Sequence, residues 1–424
     1  MKNKGKWLKE ELNKYKESLK TTGFSALDVL RWIVVGAIIG AACGALGAIF
    51  DLTVNFAIGL REANPWILFL APVGGLAIVG IYTLLGVKGQ DTNTIITAVH
   101  ARSNVSIKLF PSIFFGTAIT HFVGGSAGRE GAALQMGGSV GSLIGRGFKL
   151  KNNDMSIAVL SGMAGYFAAI FQTPIAAAVF VITIIQIGVS IFEAFVPCTV
   201  SALVAYGVAK LIGVEDNAMT VSAPEFDWLI LLKIVALAAL ATVVAVIFYK
   251  TIHGTGKLFS KLIPNQWLRV VIGGLVIIGF TLLYGSQRYN GVGMEIIASV
   301  VETGQVNWWD WILKIVLTAI TLGMGFKGGE VVPSFFVGAT FGCFMGNVLG
   351  LDPGFAAAVG LVCVFCAATN SVLASIILAM ELFGAAGLPY YALACALSFI
   401  LSGNSSLYSA QRVEELERHF THGM

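Results

Sequence analysis

The sequence predicts an all-α, polytopic membrane protein, and three observations carry that expectation. Of the 424 residues 56% are hydrophobic and only 12% are charged, with a mean hydropathy of +0.83, which is too apolar for a water-soluble fold of this size. Long apolar stretches recur along almost the whole chain. Fifty glycines favour close helix contacts and helices that stop inside the membrane.

The apolar stretches run through residues 27–60, 65–87, 109–123, 155–189, 191–212, 228–252, 268–283, 311–324, 331–351, 355–383 and 388–401. Several exceed one bilayer thickness and others fall short, so tilted and broken helices are expected. Ahead of them Lys2, Lys4, Lys6, Lys9, Lys14, Lys16 and Lys20 outnumber Glu10, Glu11 and Glu17, which predicts a cytoplasmic N-terminus. The segment lacks the short apolar core and small-residue cleavage site of a signal peptide. The net charge of +4 makes no case for a nucleic-acid partner. All six cysteines lie in apolar stretches. Cys363 and Cys366 have a CxxC spacing but no second pair or nearby histidine, so they read as small buried hydrophobes, with no metal or cofactor expected.

The chain repeats itself weakly. Gly128-Arg-Glu-Gly131 followed by Gly137 and Gly141 has an echo in Gly328-Gly-Glu-Val331 followed by Gly338 and Gly342, which sets Glu130 against Glu330 at an offset of 200. The polar break in Phe171-Gln-Thr-Pro174 is matched by Thr369-Asn-Ser-Val372, each followed by an apolar helix. The expected organisation is an N-terminal segment 1–26, a first membrane repeat 27–213, a linker 214–227, a second membrane repeat 228–411 and a tail 412–424. Repeats of this kind bring the broken helices of both halves together near the membrane midplane around a shared site.

Glu130 is the most informative residue. It sits in Gly124-Gly-Ser-Ala-Gly-Arg-Glu-Gly131, and an ionisable residue at membrane depth is costly enough to be functional by default. The glycines permit a sharp turn and good helix formers follow, which predicts a helix N-terminus whose free N–H groups attract anions. A carboxylate tethered there occupies the anion site when charged and can leave it when protonated, tying anion movement to proton movement. Of the neighbours, Arg129 reads as the partner of another carboxylate and Lys327 as a partner for Glu330. His121, Glu193 and Glu381 read as satisfied by adjoining helices. In Gly89-Gln-Asp-Thr-Asn-Thr94, Asp91, Thr92 and Asn93 are open to either helix capping or anion contact. Tyr408 is open to interfacial anchoring or to donating its O–H to an anion. No nucleophile–base, metal-ligand or phosphate-loop pattern is present, so an enzyme is not expected.

Together these motifs resemble the CLC family of anion channels and proton-coupled anion antiporters. Gly128-Arg-Glu-Gly131 with Gln135-Met-Gly137 is similar to its gating-glutamate motif, Phe171-Gln-Thr-Pro-Ile-Ala176 to the following helix break, and Leu407-Tyr-Ser-Ala410 to its pore-tyrosine segment. The resemblance covers residues 27–411. It implies the CLC fold, two inverted repeats, and a homodimer with one pore per subunit. It also implies Glu130 as external gate, Tyr408 as an inner anion contact, and Gly128, Arg129, Gly131, Asn93, Val331 and Val332 as anion-binding positions. Several departures point to one branch: no GSGIP-like serine motif precedes the gate, Ala132 follows Gly131 where chloride-selective members have proline, and Gly329-Glu-Val-Val-Pro333 stands for GxFxP. These resemble the fluoride-exporting bacterial branch, in which a glutamate at the position of Glu330 is associated with fluoride and proton handling. That branch often has threonine where this chain has Val332. The internal proton-transfer glutamate of chloride antiporters would fall near Thr183 or Ile184 and is absent. The resemblance thus implies a fluoride/proton antiporter of a bacterial plasma membrane, with chloride/proton exchange or passive chloride conduction as the alternative. With the sequence ending at Met424, nucleotide-sensing domains are not expected.

Overall fold

The computed structural model describes residues 26–187, 192–403 and 406–413. The N-terminal lysine cluster, Asn404 and Ser405, and the tail beyond residue 413 lie outside the described residues. Among the described residues sixteen α-helices form two sets of eight. The first set is α1 (Ala26–Ala63), α2 (Ala71–Leu84), α3 (Thr92–His100), α4 (Leu109–Phe122), α5 (Glu130–Gly147), α6 (Asn153–Phe171), α7 (Pro174–Ile185) and α8 (Phe192–Ile212). The second is α9 (Trp228–Leu262), α10 (Gln266–Tyr284), α11 (Met294–Thr303), α12 (Asp310–Gly323), α13 (Val331–Leu349), α14 (Pro353–Thr369), α15 (Val372–Phe383) and α16 (Leu388–Ser402). Each set opens on a helix of 38 or 35 residues and has a short third helix of 9 or 10. The fourth helix has 14 residues in both and the seventh 12 in both.

Among the described residues eight helical spans are long and apolar enough to cross a membrane, so the chain is a multi-pass membrane protein. Helices α4, α7, α14 and α15 are apolar but shorter. At 1.5 Å per residue a 12-residue helix covers about 18 Å of a core about 30 Å thick. The apolar run 155–189 contains α6 and α7, separated where Gln172 adopts a left-handed conformation with φ 58 ahead of Pro174. The run 355–383 breaks in the same way at Asn370, with φ 53. Helices α3 and α11 lie outside the apolar stretches because they are short and polar on one side.

Glycines set the packing. A Cβ on Gly137 would meet the backbone of Gly162, and one on Gly141 the backbone of Ala158; Gly338 stands likewise against Gly360, and Gly342 against Ala356. Lipid provides no hydrophobic drive for helix association, so such close backbone approaches supply the van der Waals contact instead. Along α1, Gly36, Gly40 and Gly44 meet Pro197, Ser201 and Ala205 of α8 in the same order, so these helices run parallel. Helix α8 therefore ends on the side toward which α1 runs, and α9 starts on that side after residues 213–227 and runs back. The opening helices of the two halves are antiparallel, which makes the repeat inverted.

The last described segment is pinned beneath this framework. A two-residue parallel pairing joins β1 (Gln186–Ile187) to β2 (Arg412–Val413), and Gln411 Nε2 donates to the carbonyls of Thr183 and Thr369. All six cysteines are free and buried, as small hydrophobes.

Candidate ion-coupling site

The two halves meet where the loops before α5 and α13 cross. Gly128 and Gly329 exchange both backbone hydrogen bonds, at 2.7 and 2.6 Å, the reciprocity expected of a two-fold relation. This pairing fixes the repeat register and corrects the sequence alignment by one residue. Gly128 corresponds to Gly329, just as Gly137 does to Gly338 and Gly141 to Gly342. Glu130 is the first residue of α5, whereas Glu330 is the N-cap residue of α13. The counterpart of Glu330 is therefore Arg129, and that of Glu130 is Val331.

Both helices begin here because the glycine loops free the chain from repeating geometry and leave the first-turn N–H groups unpaired within their own helices. The side chain of Glu130 is fully buried and folds back over Gly128, leaving no room for a Cβ there. Its Oε2 accepts from the backbone N–H of Val332, in the first turn of α13, at 3.3 Å. Its Oε1 has no hydrogen-bond partner. Conversely, a Cβ on Gly131 would lie 3.8 Å from Oε2 of Glu330, so the Glu330 carboxylate stands beside the first turn of α5. Each glutamate thus lies at the helix N-terminus of the other half, where the dipole favours negative charge.

The basic neighbours do not neutralise this pair. Arg129 forms an ion pair of 2.5 Å with Asp51 and donates to Asn55 Oδ1 at 3.0 Å, and Asn55 Nδ2 donates to Asp51 Oδ2. The expected ion pair with another carboxylate is present, and its partners on α1 were not singled out in the sequence. Lys327 places its ammonium 4.6 Å above the ring of Tyr82. Glu330 takes part in none of the four ion pairs among the described residues, so the expected Lys327–Glu330 pair is not formed. His121 Nδ1 and Nε2 face the carbonyls of Thr117 and Ala127 at 2.8 and 3.0 Å. Asn153 donates to Glu193 at 2.8 Å. Glu381 accepts from the N–H groups of Ile175 and Ala176, capping α7.

Two cavities approach the crossing from opposite sides. One, of about 680 Å³, is lined by Asp51, Asn55, Arg61, Arg129 and residues 286–288 and 290–296, toward the side where α1 ends. The other, of about 210 Å³, includes Asn93, Gln135, Lys327, Glu330 and Tyr408 in its lining. It lies toward the side where α1 starts. Arg31 of α1 pairs with Asp154 at the start of α6 on that side, α7 returns toward it, and β1 there holds the tail that carries Tyr408.

In the smaller cavity the pre-gate alternatives separate. Asp91 caps α3, accepting from the N–H of Thr94 at 3.0 Å in a reciprocal capping box. Thr92 Oγ1 accepts from Gln135 Nε2 at 3.1 Å, bridging α3 to α5. Asn93 Oδ1 accepts from the N–H of Ala410 at 3.0 Å and Asn93 Nδ2 donates to Asp91 at 3.3 Å, so this amide brackets the Tyr408 segment. The hydroxyl of Tyr408 is buried and without a partner. At the position of the absent internal glutamate, Thr183 Oγ1 donates to the carbonyl of Val179 at 2.9 Å and Ile184 is fully buried.

A family model described as voltage gated chloride channel matches residues 74–403. A chloride/fluoride channel protein of Pseudomonas syringae pv. tomato is 35% identical over 92% of this chain and 88% of its own length. The H+/Cl− exchange transporter ClcA of Vibrio campbellii is 28% identical over 88% of this chain and 85% of its own. Among solved structures, a CLC-type fluoride/proton antiporter superposes with a TM-score of 0.88 at 29% identity, covering 92% of this chain and 100% of that one. A slow cyanobacterial Cl−/H+ antiporter, at 19% identity and a TM-score of 0.78 over 89% of this chain and 96% of that one, shares the fold. With the inverted repeat, the crossed helix N-termini and these matches together, the chain belongs to the CLC family of anion channels and proton-coupled anion antiporters.

Proposed function

We propose that this protein is a fluoride/proton antiporter that expels cytoplasmic fluoride from bacteria, driven by the proton gradient across the plasma membrane, as a homodimer with one pore per subunit. The observation that carries the reading is the exchange of the two glutamates: each carboxylate lies at the N-terminus of the opposite half's helix, where an anion would bind. In this scheme a charged Glu130 covers the N–H of Val332, protonation releases it, and the passing anion takes its place. Glu330 supplies a second exchangeable proton in a chain that has none at Thr183 or Ile184. When protonated it donates a hydrogen bond to fluoride, a small and strongly hydrated ion that needs donors in place of water. Asn93, Tyr408 and the first-turn backbone at Gly128, Arg129, Gly131, Val331 and Val332 line the route. The side where α1 starts is cytoplasmic in this reading. The name of the solved antiporter supports fluoride over chloride.

Purified protein in liposomes, with fluoride and chloride efflux followed by ion-selective electrodes and lumenal pH by a dye, tests it. Fluoride efflux should greatly exceed chloride efflux and move protons in the opposite direction. Equal efflux of both anions refutes the fluoride assignment, and fluoride flux without proton movement refutes antiport.

A further inference from the structure

The smaller cavity holds a cation and two hydroxyls that the coupling scheme leaves unused or incompletely used. Thr117 and Tyr408 are both buried, both line the cavity, and both have hydroxyl oxygens without a hydrogen-bond partner. Lys327 also lines it, half-buried, and belongs to none of the ion pairs among the described residues. Its placement is built by the fold. The backbone N–H of Lys327 donates to Thr120 Oγ1 at 3.1 Å, and its stem lies over Gly116, where a Cβ would come within 3.3 Å of it. Gly116, Thr117 and Thr120 all belong to α4, so the Lys327 stem lies against the helix that carries Thr117, with the ammonium over Tyr82.

The cavity's charges give this arrangement its meaning. Its ionisable lining consists of Asp91 and Glu330 against Lys327, with Tyr82 and Tyr408 as the phenols. Two carboxylates alone would repel any anion entering from solvent. One ammonium offsets one of them, and protonation of Glu330 offsets the other. Burying a hydroxyl without a partner is unfavourable, so two of them facing one small polar cavity beside a cation call for a small acceptor.

We propose that Lys327 and Thr117 extend the anion contact of Tyr408 into a loading station that captures one small, strongly hydrated monovalent anion from solvent before it reaches Glu130. The inference rests on the transport reading above and names the residues that set its half-saturating anion concentration. Lys327 supplies the charge, and the two hydroxyls replace part of the ion's hydration shell.

The test is initial fluoride efflux from liposomes loaded over a range of fluoride concentrations. Lys327→Met keeps a flexible apolar stem against Tyr82 but removes the charge. It should raise the half-saturating concentration at least about tenfold, by a larger factor than it lowers the maximal rate. Lys327→Arg should restore most of the loss. Thr117→Val, nearly the same shape, should raise half-saturation about threefold to tenfold, and it decides the matter if Lys327→Met does not purify as a monodisperse protein. Wild-type half-saturation in both the Met and Val variants would make Lys327 a packing element and overturn the proposal, as would an Arg variant no better than Met. If the wild-type protein moves chloride but not fluoride, the fluoride reading fails, and the same series repeated with chloride still decides the loading station.

Discussion

Glu130→Gln isolates the charge of the gate from its shape. The glutamine carbonyl can still accept from Val332, as Oε2 of Glu130 does at 3.3 Å, but the attraction between a full negative charge and the N-terminus of α13 is gone. A helix N-terminus acts as about half a positive elementary charge. At roughly 4 Å, with an effective dielectric of about 20, that attraction amounts to about 2 kcal/mol, or close to thirtyfold in a binding constant. An anion that must displace the charged carboxylate is therefore disfavoured by up to that factor, and lowering the pH relieves it by protonating Glu130. Wild-type fluoride affinity should rise as pH falls. In Glu130→Gln the affinity at alkaline pH should be as much as about thirtyfold tighter than wild type and its pH dependence shallower, while anion-driven proton movement is abolished. Calorimetric titration at acid and alkaline pH measures the first pair of effects, and lumenal pH in liposomes the last. A mutant that keeps wild-type alkaline affinity and wild-type proton coupling would refute the idea that the carboxylate competes with the anion.

Three further outcomes follow from the same geometry. On the proposed reading Glu330→Gln and Glu330→Ala should each reduce both fluoride flux and proton coupling, because the carboxyl would exchange protons and has no ion-pair partner among the described residues; unchanged rate and coupling in folded protein would exclude that role. Gly128→Ala places a methyl group onto Glu130 Oε2 and 3.0 Å from Pro333 Cδ, so it should drive the gate off α13 and lower the number of protons moved per anion, read from paired electrode and pH traces. Asp51→Asn leaves the buried Arg129 guanidinium without its counter-charge, a loss of about 3–5 kcal/mol for a buried pair. It should lower the melting temperature by roughly 5–10 °C in differential scanning fluorimetry.

The legible parts of this chain were those where a residue violates its surroundings. Glu130 and Glu330 stood out as carboxylates in apolar, glycine-rich runs, and the breaks at Gln172–Thr173 and Asn370–Ser371 as polar residues between apolar helices. The register between the halves was not legible, because glycines recur so often that offsets of 200 and 201 both find matches. Only the paired hydrogen bonds of Gly128 and Gly329 choose between them. Asp51 and Asn55 do carry a sequence signal: they are polar residues four apart inside the apolar run 27–60, hence on one face of a helix, and the cost of an ionisable residue at membrane depth applies to Asp51 as it does to Glu130. Lys314, inside the run 311–324, is a similar case; it is fully buried and donates to the carbonyls of Tyr289 and Gly291 at 3.1 and 2.9 Å. Helices α3 and α11 were hidden by their length, since a helix of 9 or 10 residues does not register as a membrane span. The open hydroxyls of Thr117 and Tyr408 could not be read at all, because lacking a partner is a property of the folded surroundings.

The one-residue displacement between the glutamates bears directly on coupling. Had Glu330 occupied the position equivalent to Glu130, the two side chains would be related by the inverted repeat and would face the two sides of the membrane alike. As an N-cap residue it instead lines the smaller cavity with Tyr408, whereas Glu130 lies against Val332, buried in the crossing between the cavities. On the proposed reading, two carboxylates and an anion then compete for helix N-termini joined by the Gly128–Gly329 bridge. Three negative charges at this spacing, with Arg129 engaged by Asp51 and Lys327 over Tyr82, would repel one another by several kcal/mol in a water-poor site. In that scheme an anion would enter only as a carboxyl takes up a proton, and the carboxyl would release that proton to the other side only after the anion has left. On that reading proton and anion occupancy would be linked through the crossing itself, without a separate internal proton-transfer glutamate.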